Sequence, residues 1–171
     1  LHNGESNNIA KIDYLGYSFT VNDTKKTREV DIDIALVKQS KIQTRIIKAL
    51  LSYTNTRDFR LLEKRIRFLT SNFLLFNKYR STTVRSGIYY NYPYITKSHN
   101  KDGGLIKLDN FLNNILFCKK LSSRMLGRPH GLSKFQQKKL AKLSFSTGHN
   151  NKIFHRFTPL QMKQIKRCWS F

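Results

Sequence analysis

An α+β fold, with a short N-terminal antiparallel β-hairpin and a mainly helical remainder, is predicted by a change of hydrophobic period near residue 36. Before that point apolar and polar residues alternate, whereas beyond it apolar residues return at helical spacing. Paired cap residues also mark the starts of the last two helices.

Each element follows in order. Residues 14–21, Tyr-Leu-Gly-Tyr-Ser-Phe-Thr-Val, alternate and are rich in aromatic and β-branched types, which suits a strand. A polar turn at Asn22, Asp23, Thr24 and Lys25 leads to a second strand over 28–34. Its Val30, Ile32 and Ile34 share one face, and Asp31 with Asp33 is expected to wet the other.

From Ser40, residues Ile42, Ile46, Ala49, Leu50 and Tyr53 form one apolar stripe of a first helix, with Lys38, Lys41, Arg45 and Lys48 on another face. After Thr54, Asn55 and Thr56 the plan repeats. Phe59, Leu62, Ile66, Leu69 and Phe73 form the stripe, and Arg57, Arg60, Lys64 and Arg67 the basic row. Residues 77–98 break the period, mixing Arg80, Arg85 and Lys97 with Tyr79, Tyr89, Tyr90, Tyr92 and Tyr94. Rings among cations either stack on unpaired bases or pack on neighbouring helices with their hydroxyls in water. A third helix is predicted from Leu105 to Met125, with Leu108, Phe111, Leu112, Ile115 and Cys118 at core spacing. Residues 127–131 read as a linker. Ser133 with Gln136 opens a fourth helix reaching Phe145, and Thr158, Pro159 and Gln161 open the last, to Trp169. Three regions result: 1–36, 37–126 and 127–171.

Composition narrows the function. At 39% hydrophobic and 12% aromatic residues, the chain is too apolar for a disordered basic tail. No apolar run approaches the roughly 20 residues that span a bilayer, and no signal-peptide pattern opens the chain, so a cytoplasmic protein with no membrane partner is expected. The polar start without Met suggests the downstream part of a longer polypeptide. Cys118 and Cys168 alone build neither a disulfide framework nor a zinc site of thiolates, and they are expected as reduced thiols, one in a helix core. His2, His99, His130, His149 and His155 fall mostly in polar stretches and are expected to be exposed or on phosphate. No catalytic or metal-ligating constellation is predicted.

Charge points to the partner. The 171 residues carry 32 Lys and Arg against 10 Asp and Glu, and Asp109 is the last acid, followed by thirteen cations. Such a surface suits a phosphate backbone, because each phosphate neutralised releases condensed counterions. By composition and spacing the chain reads as a nucleic-acid-binding module without an active site. Docking to an acidic protein or a membrane surface is a weaker reading of the same charge.

The segment Tyr14-Leu15-Gly16-Tyr17-Ser18-Phe19, then a second strand and helices with basic rows, resembles the primer-grip hairpin and thumb of reverse transcriptases. Together with Ser86-Gly87-Ile88-Tyr89-Tyr90-Asn91-Tyr92-Pro93 and the stretch from Phe157 to Trp169, it looks most like bacterial retron-type, defence-associated antiviral enzymes. The resemblance implies that Leu15, Gly16 and Tyr17 support the primer's 3′ end. It also implies that Lys38, Lys41, Arg45, Lys48, Arg57, Arg60, Lys64, Arg67, Arg85, Tyr89 and Tyr90 meet an RNA template and DNA primer. The family's catalytic aspartates precede the hairpin and no such motif stands here, so this chain cannot polymerise alone. Mg²⁺ is expected in the upstream palm, which with the fingers would be a partner in the same polypeptide. The alternative is a stand-alone RNA-binding module, associated with a ribosome or maturase and without an enzymatic role.

Overall fold

The computed structural model describes residues 9–23, 28–77, 82–97, 101–127 and 129–169. The predicted positions His2, Thr24, Lys25, Tyr79, Arg80 and His99 lie outside these residues. The α+β architecture is as expected, but the N-terminal unit is a three-stranded antiparallel meander of β1 (Ile9–Tyr14), β2 (Tyr17–Asp23) and β3 (Arg28–Ile34). The 14–21 strand expectation is corrected, because Leu15 and Gly16 form the turn between β1 and β2. Their φ values of 48° and 90° are the left-handed pair that a two-residue hairpin connection demands.

Register sorts the sheet's faces. Ile12 lies opposite Phe19 and Phe19 opposite Ile32, so one face carries Ala10, Ile12, Tyr14, Tyr17, Phe19, Val21, Val30, Ile32 and Ile34. Its inner end is buried, with Ile34 at 1% exposure, while Ile12 at 63% and Tyr14 at 64% stay open. Beyond β3, Thr96 exchanges bonds with Ile32 (2.8 and 3.0 Å), and Lys97 pairs with Asp31 at 2.9 Å. That segment therefore covers the outer edge of β3.

Helix α1 (Leu36–Thr56) packs on α2 (Phe59–Thr70) across a corner where Arg57 adopts φ 56° and the Asp58 carboxylate accepts the Leu61 N–H at 2.9 Å. The predicted stripe positions Ile46, Ala49, Leu50, Leu62 and Ile66 are fully buried. Phe73, expected to continue α2, instead lies in β4 (Asn72–Asn77), which pairs with β5 (Thr82–Gly87). It sits four residues after Leu69 and so keeps the helical period by coincidence, while the backbone turns extended at Ser71. A single turn α3 (Ile88–Asn91) follows.

The predicted third helix is two, α4 (Gly104–Phe117) and α5 (Lys119–Leu126), divided at Cys118, whose ψ of 100° leaves the helical region. Cys118 is exposed at that break and not in a helix core. The fourth helix also divides, into α6 (Lys134–Ala141) and α7 (Phe145–Asn150), before α8 (Pro159–Lys166). Both predicted capping boxes form, at Ser133 with Gln136 and at Thr158 with Gln161. One hydrophobic core runs through Ile34, α1, α2 and α4 to Leu126, Leu132, Leu140 and Phe145.

The few acids hold this assembly together. Asp33 accepts the Gly104 N–H at 2.8 Å and so caps α4, and Asp109 accepts the backbone N–H groups of Phe145 (2.5 Å) and Ser146 (3.1 Å) at the start of α7. Asp33 thus does more than wet the sheet. Two histidines expected outside are inside. His130 Nδ1 accepts the Leu132 N–H at 3.0 Å, which makes Nε2 the donor to the Leu116 carbonyl, while His149 Nε2 lies 2.9 Å from the Tyr92 carbonyl.

Candidate nucleic-acid interface

The basic rows part company once folded. On α1, Lys38 and Lys41 are exposed and the Lys38 chain lies across Gly16, where a Cβ would stand 3.0 Å from its Cε. Gly16 also accepts the Ala35 N–H at 2.9 Å, which anchors the turn to the start of α1. Arg45 turns toward the chain's end, its guanidinium 5.8 Å from the Trp169 ring centroid. Lys48 is half-buried on the same helix. On α2's side, Arg57 donates to the His130 carbonyl at 3.2 Å and lies over Tyr53, so it braces the α1–α2 corner.

Arg60, Lys64 and Arg67 do converge. With Lys139 of α6, His155, Arg156, Phe157 and Gln161 they line a cleft of about 420 Å³, in which Glu63 is the one carboxylate among the described lining residues. Glu63 holds Arg67 at 2.6 Å and Lys139 at 2.9 Å. Desolvation alone would push its carboxyl up, but hydrogen bonds from Lys139 and Arg67 hold it below the ordinary value. Burial, and then the Arg67 charge, likewise hold the His155 imidazole below its ordinary value. The cleft therefore offers a set of cations that one anion does not neutralise.

Sequence reasoning missed two of its cations, Lys139 and Arg156. Both come from segments 72 or more residues beyond Arg67, and the His155–Arg156 segment is brought in when Asn72 exchanges backbone bonds of 2.8 Å with Ile153 and His155. Asn72 is fully buried, and its side chain also donates to Gly148 (3.2 Å) and Ile153 (3.0 Å) and accepts from Tyr89 N–H (2.9 Å). Arg65, buried on the opposite side of α2 from the basic row, donates to the Ile165 and Gln164 carbonyls and so closes the end of α8. Its placement locks α8 and Gln161 beside the cleft.

No protein-family model, curated protein or solved structure matches this chain.

An aromatic wall flanks the cleft. Phe68 and Phe73 stack at 4.2 Å between centroids, and Phe157 meets them at 5.9 and 6.1 Å. The tyrosines of 88–94 mostly pack. Tyr17 meets Tyr92 edge-on at 5.7 Å, and Tyr89 lies against His149 and under the Lys152 ammonium at 4.4 Å. Arg85 sits over Tyr90 and donates to its hydroxyl at 3.3 Å on the exposed hairpin. Burial raises the hydroxyl pKa of both Tyr17 and Tyr92, and the Tyr17 hydroxyl donates to the Asn91 carbonyl at 3.4 Å. Among the described residues no helix is long and apolar enough to cross a membrane.

Proposed function

We propose that this chain grips the sugar-phosphate backbone of an RNA template and DNA primer as the thumb-side portion of an RNA-directed DNA polymerase, acting in the cytoplasm in antiviral defence. The observation that carries the reading is the convergence of Arg60, Lys64, Arg67, Lys139 and Arg156 on one cleft beside an aromatic wall. Backbone neutralisation with adjacent rings is how sequence-tolerant binding is built, and a polymerase must tolerate every template.

One further feature supports the polymerase over a free-standing RNA binder. The open apolar sheet face at Ile12, Tyr14 and Val30 suits packing against a palm, and the Leu15–Gly16 turn joins it to the first thumb helix. On this reading two-metal chemistry belongs to an upstream palm, as the resemblance implies.

The test replaces Arg60, Lys64 and Arg156 together by Gln and measures binding to an RNA–DNA hybrid across salt. The slope of log affinity against log salt should fall by about 2–3, from roughly 0.7–0.9 per lost phosphate contact. An unchanged slope overturns the cleft as the interface. Primer extension by the parent polypeptide decides between polymerase and stand-alone module, since a module leaves extension indifferent to the triple substitution.

A further inference from the structure

Beside the cationic cleft lies a second cavity, of about 380 Å³, on the other side of the aromatic wall. Half-buried Phe68 and Trp169 supply its accessible rings, with buried Phe73 stacked behind Phe68; Arg45 and Lys166 supply its cations, and Asn91 with Ser86 its neutral polar groups. A recess of about 90 Å³ continues from it and shares Arg45, Phe68, Phe73 and Asn91. The volume falls in the range of small-ligand pockets, roughly 300–1,000 Å³.

Its parts are held rather than merely adjacent. The Trp169 indole N–H donates to the Arg45 carbonyl at 2.9 Å, and the ring lies 5.7 Å from Phe68. Asn91 follows the β5–α3 junction, its Oδ1 accepting from Ser86 Oγ at 3.5 Å and its backbone carbonyl accepting from the Tyr17 hydroxyl at 3.4 Å. The pocket thereby ties three distant regions together: the Leu15–Gly16 turn through Tyr17, α1 through Arg45, and the end of α8 through Trp169.

Such a set matches the surfaces of one nucleotide. A base needs a ring face to stack on, an amide for its edge and a cation for its phosphate, and it reaches all three only when it is unpaired. A duplex presents its edges inside a groove and its ring faces to neighbouring base pairs, so it cannot fill this cavity. We propose that the cavity receives an unpaired nucleotide of a single strand, its base against Trp169 and the exposed rim of Phe68, its edge on Asn91 and its phosphate between Arg45 and Lys166. The assignment rests on the nucleic-acid reading above and adds to it a second site, for the strand beyond the duplex.

Trp169 is the only tryptophan of the chain and reports on the pocket directly. The 171-residue chain is titrated with a ten-nucleotide oligouridine RNA, the matching oligodeoxyuridine, an abasic oligomer of equal length and a blunt ten-base-pair duplex. Quenching of tryptophan emission by either base-bearing single strand, and not by the abasic oligomer or the duplex, supports the site, and the stronger quencher names the strand. Asn91→Ala should weaken binding of that strand about three- to tenfold, and Phe68→Leu, which keeps apolar bulk, about tenfold. Neither should change affinity for the abasic oligomer, with far-UV circular dichroism confirming folding. Equal quenching by the abasic oligomer or by the duplex overturns the nucleotide pocket and leaves the backbone reading intact. Binding of none of the four overturns both.

Discussion

Trp169 donates its indole N–H to the Arg45 carbonyl at 2.9 Å and lies under the same residue's guanidinium, pinning the end of the chain to the middle of α1. The contact spans 124 residues and engages an arginine of the row expected to meet nucleic acid. Replacing Trp169 by Leu keeps apolar bulk but deletes the donor and the cation–π face. Stability should fall by about 1–2 kcal/mol, read from urea midpoints at constant m-value.

Asn72 is fully buried and joins β4, α3, α7 and the 153–155 strand bridge. Asn72→Ala strands the Tyr89 N–H and leaves the Gly148 carbonyl without its side-chain donor. A loss of about 2–4 kcal/mol is expected, at 1–3 kcal/mol per unsatisfied group. Because the same residue carries His155 to the cationic cleft, hydrogen exchange at 153–157 should quicken more than exchange in α1.

Gly16 stands at φ 90°, and a side chain there would press on Lys38. Gly16→Val should cost about 1–2 kcal/mol through left-handed strain. Within the proposed polymerase it should slow primer use more than it weakens hybrid affinity, read by comparing extension rate with binding in parallel. Equal losses in both measures remove the turn from the primer end.

Glu63 and His155 both weaken the fold as pH falls, and a bound phosphate would set His155 apart. The Glu63 carboxyl is held below its ordinary 4.5, so its stabilisation is complete above that value and disappears as pH falls through the folded one. Glu63→Gln should therefore flatten the acid limb of the stability profile below about pH 4.5. His155, held below 6.5, likewise favours the fold above that value and opposes it once protonated. A phosphate near Arg67, Arg156, Lys139 and His155 reverses the last preference by favouring the imidazolium. Hybrid binding should consequently tighten as pH falls toward the folded value of His155, and His155→Ala should remove that gain.

The helical half was legible because its stripes are long: Ile46, Leu50, Leu62 and Ile66 are buried as their spacing requires, and both capping boxes close. β1 was not predicted, although Ala10, Ile12 and Tyr14 alternate with Lys11 and Asp13 and it pairs as that pattern demands. β4 was hidden because Phe73 stays in phase with Leu69. The α4–α5 break was hidden because Cys118 stays in phase with Ile115. The cleft was half legible. Arg60, Lys64 and Arg67 share a face by spacing, but Lys139 and Arg156 join them only through tertiary packing, and nothing local distinguishes Arg57, which turns to the His130 carbonyl. The signal available for the capping acids was scarcity itself, since an isolated Asp109 in so basic a stretch has a structural partner, here the start of α7.

That scarcity reaches beyond architecture. With Asp33, Asp58 and Asp109 spent on helix ends, a formal charge of +22 is left to repel itself, and under the proposed function a bound polyanion is the chain's missing counter-ion. By mass action, a ligand that binds only the folded form raises the thermal midpoint with its own concentration. On that reading, copies without a nucleic-acid partner are the first to unfold and be degraded, and the abundance of this protein follows the supply of its proposed partner.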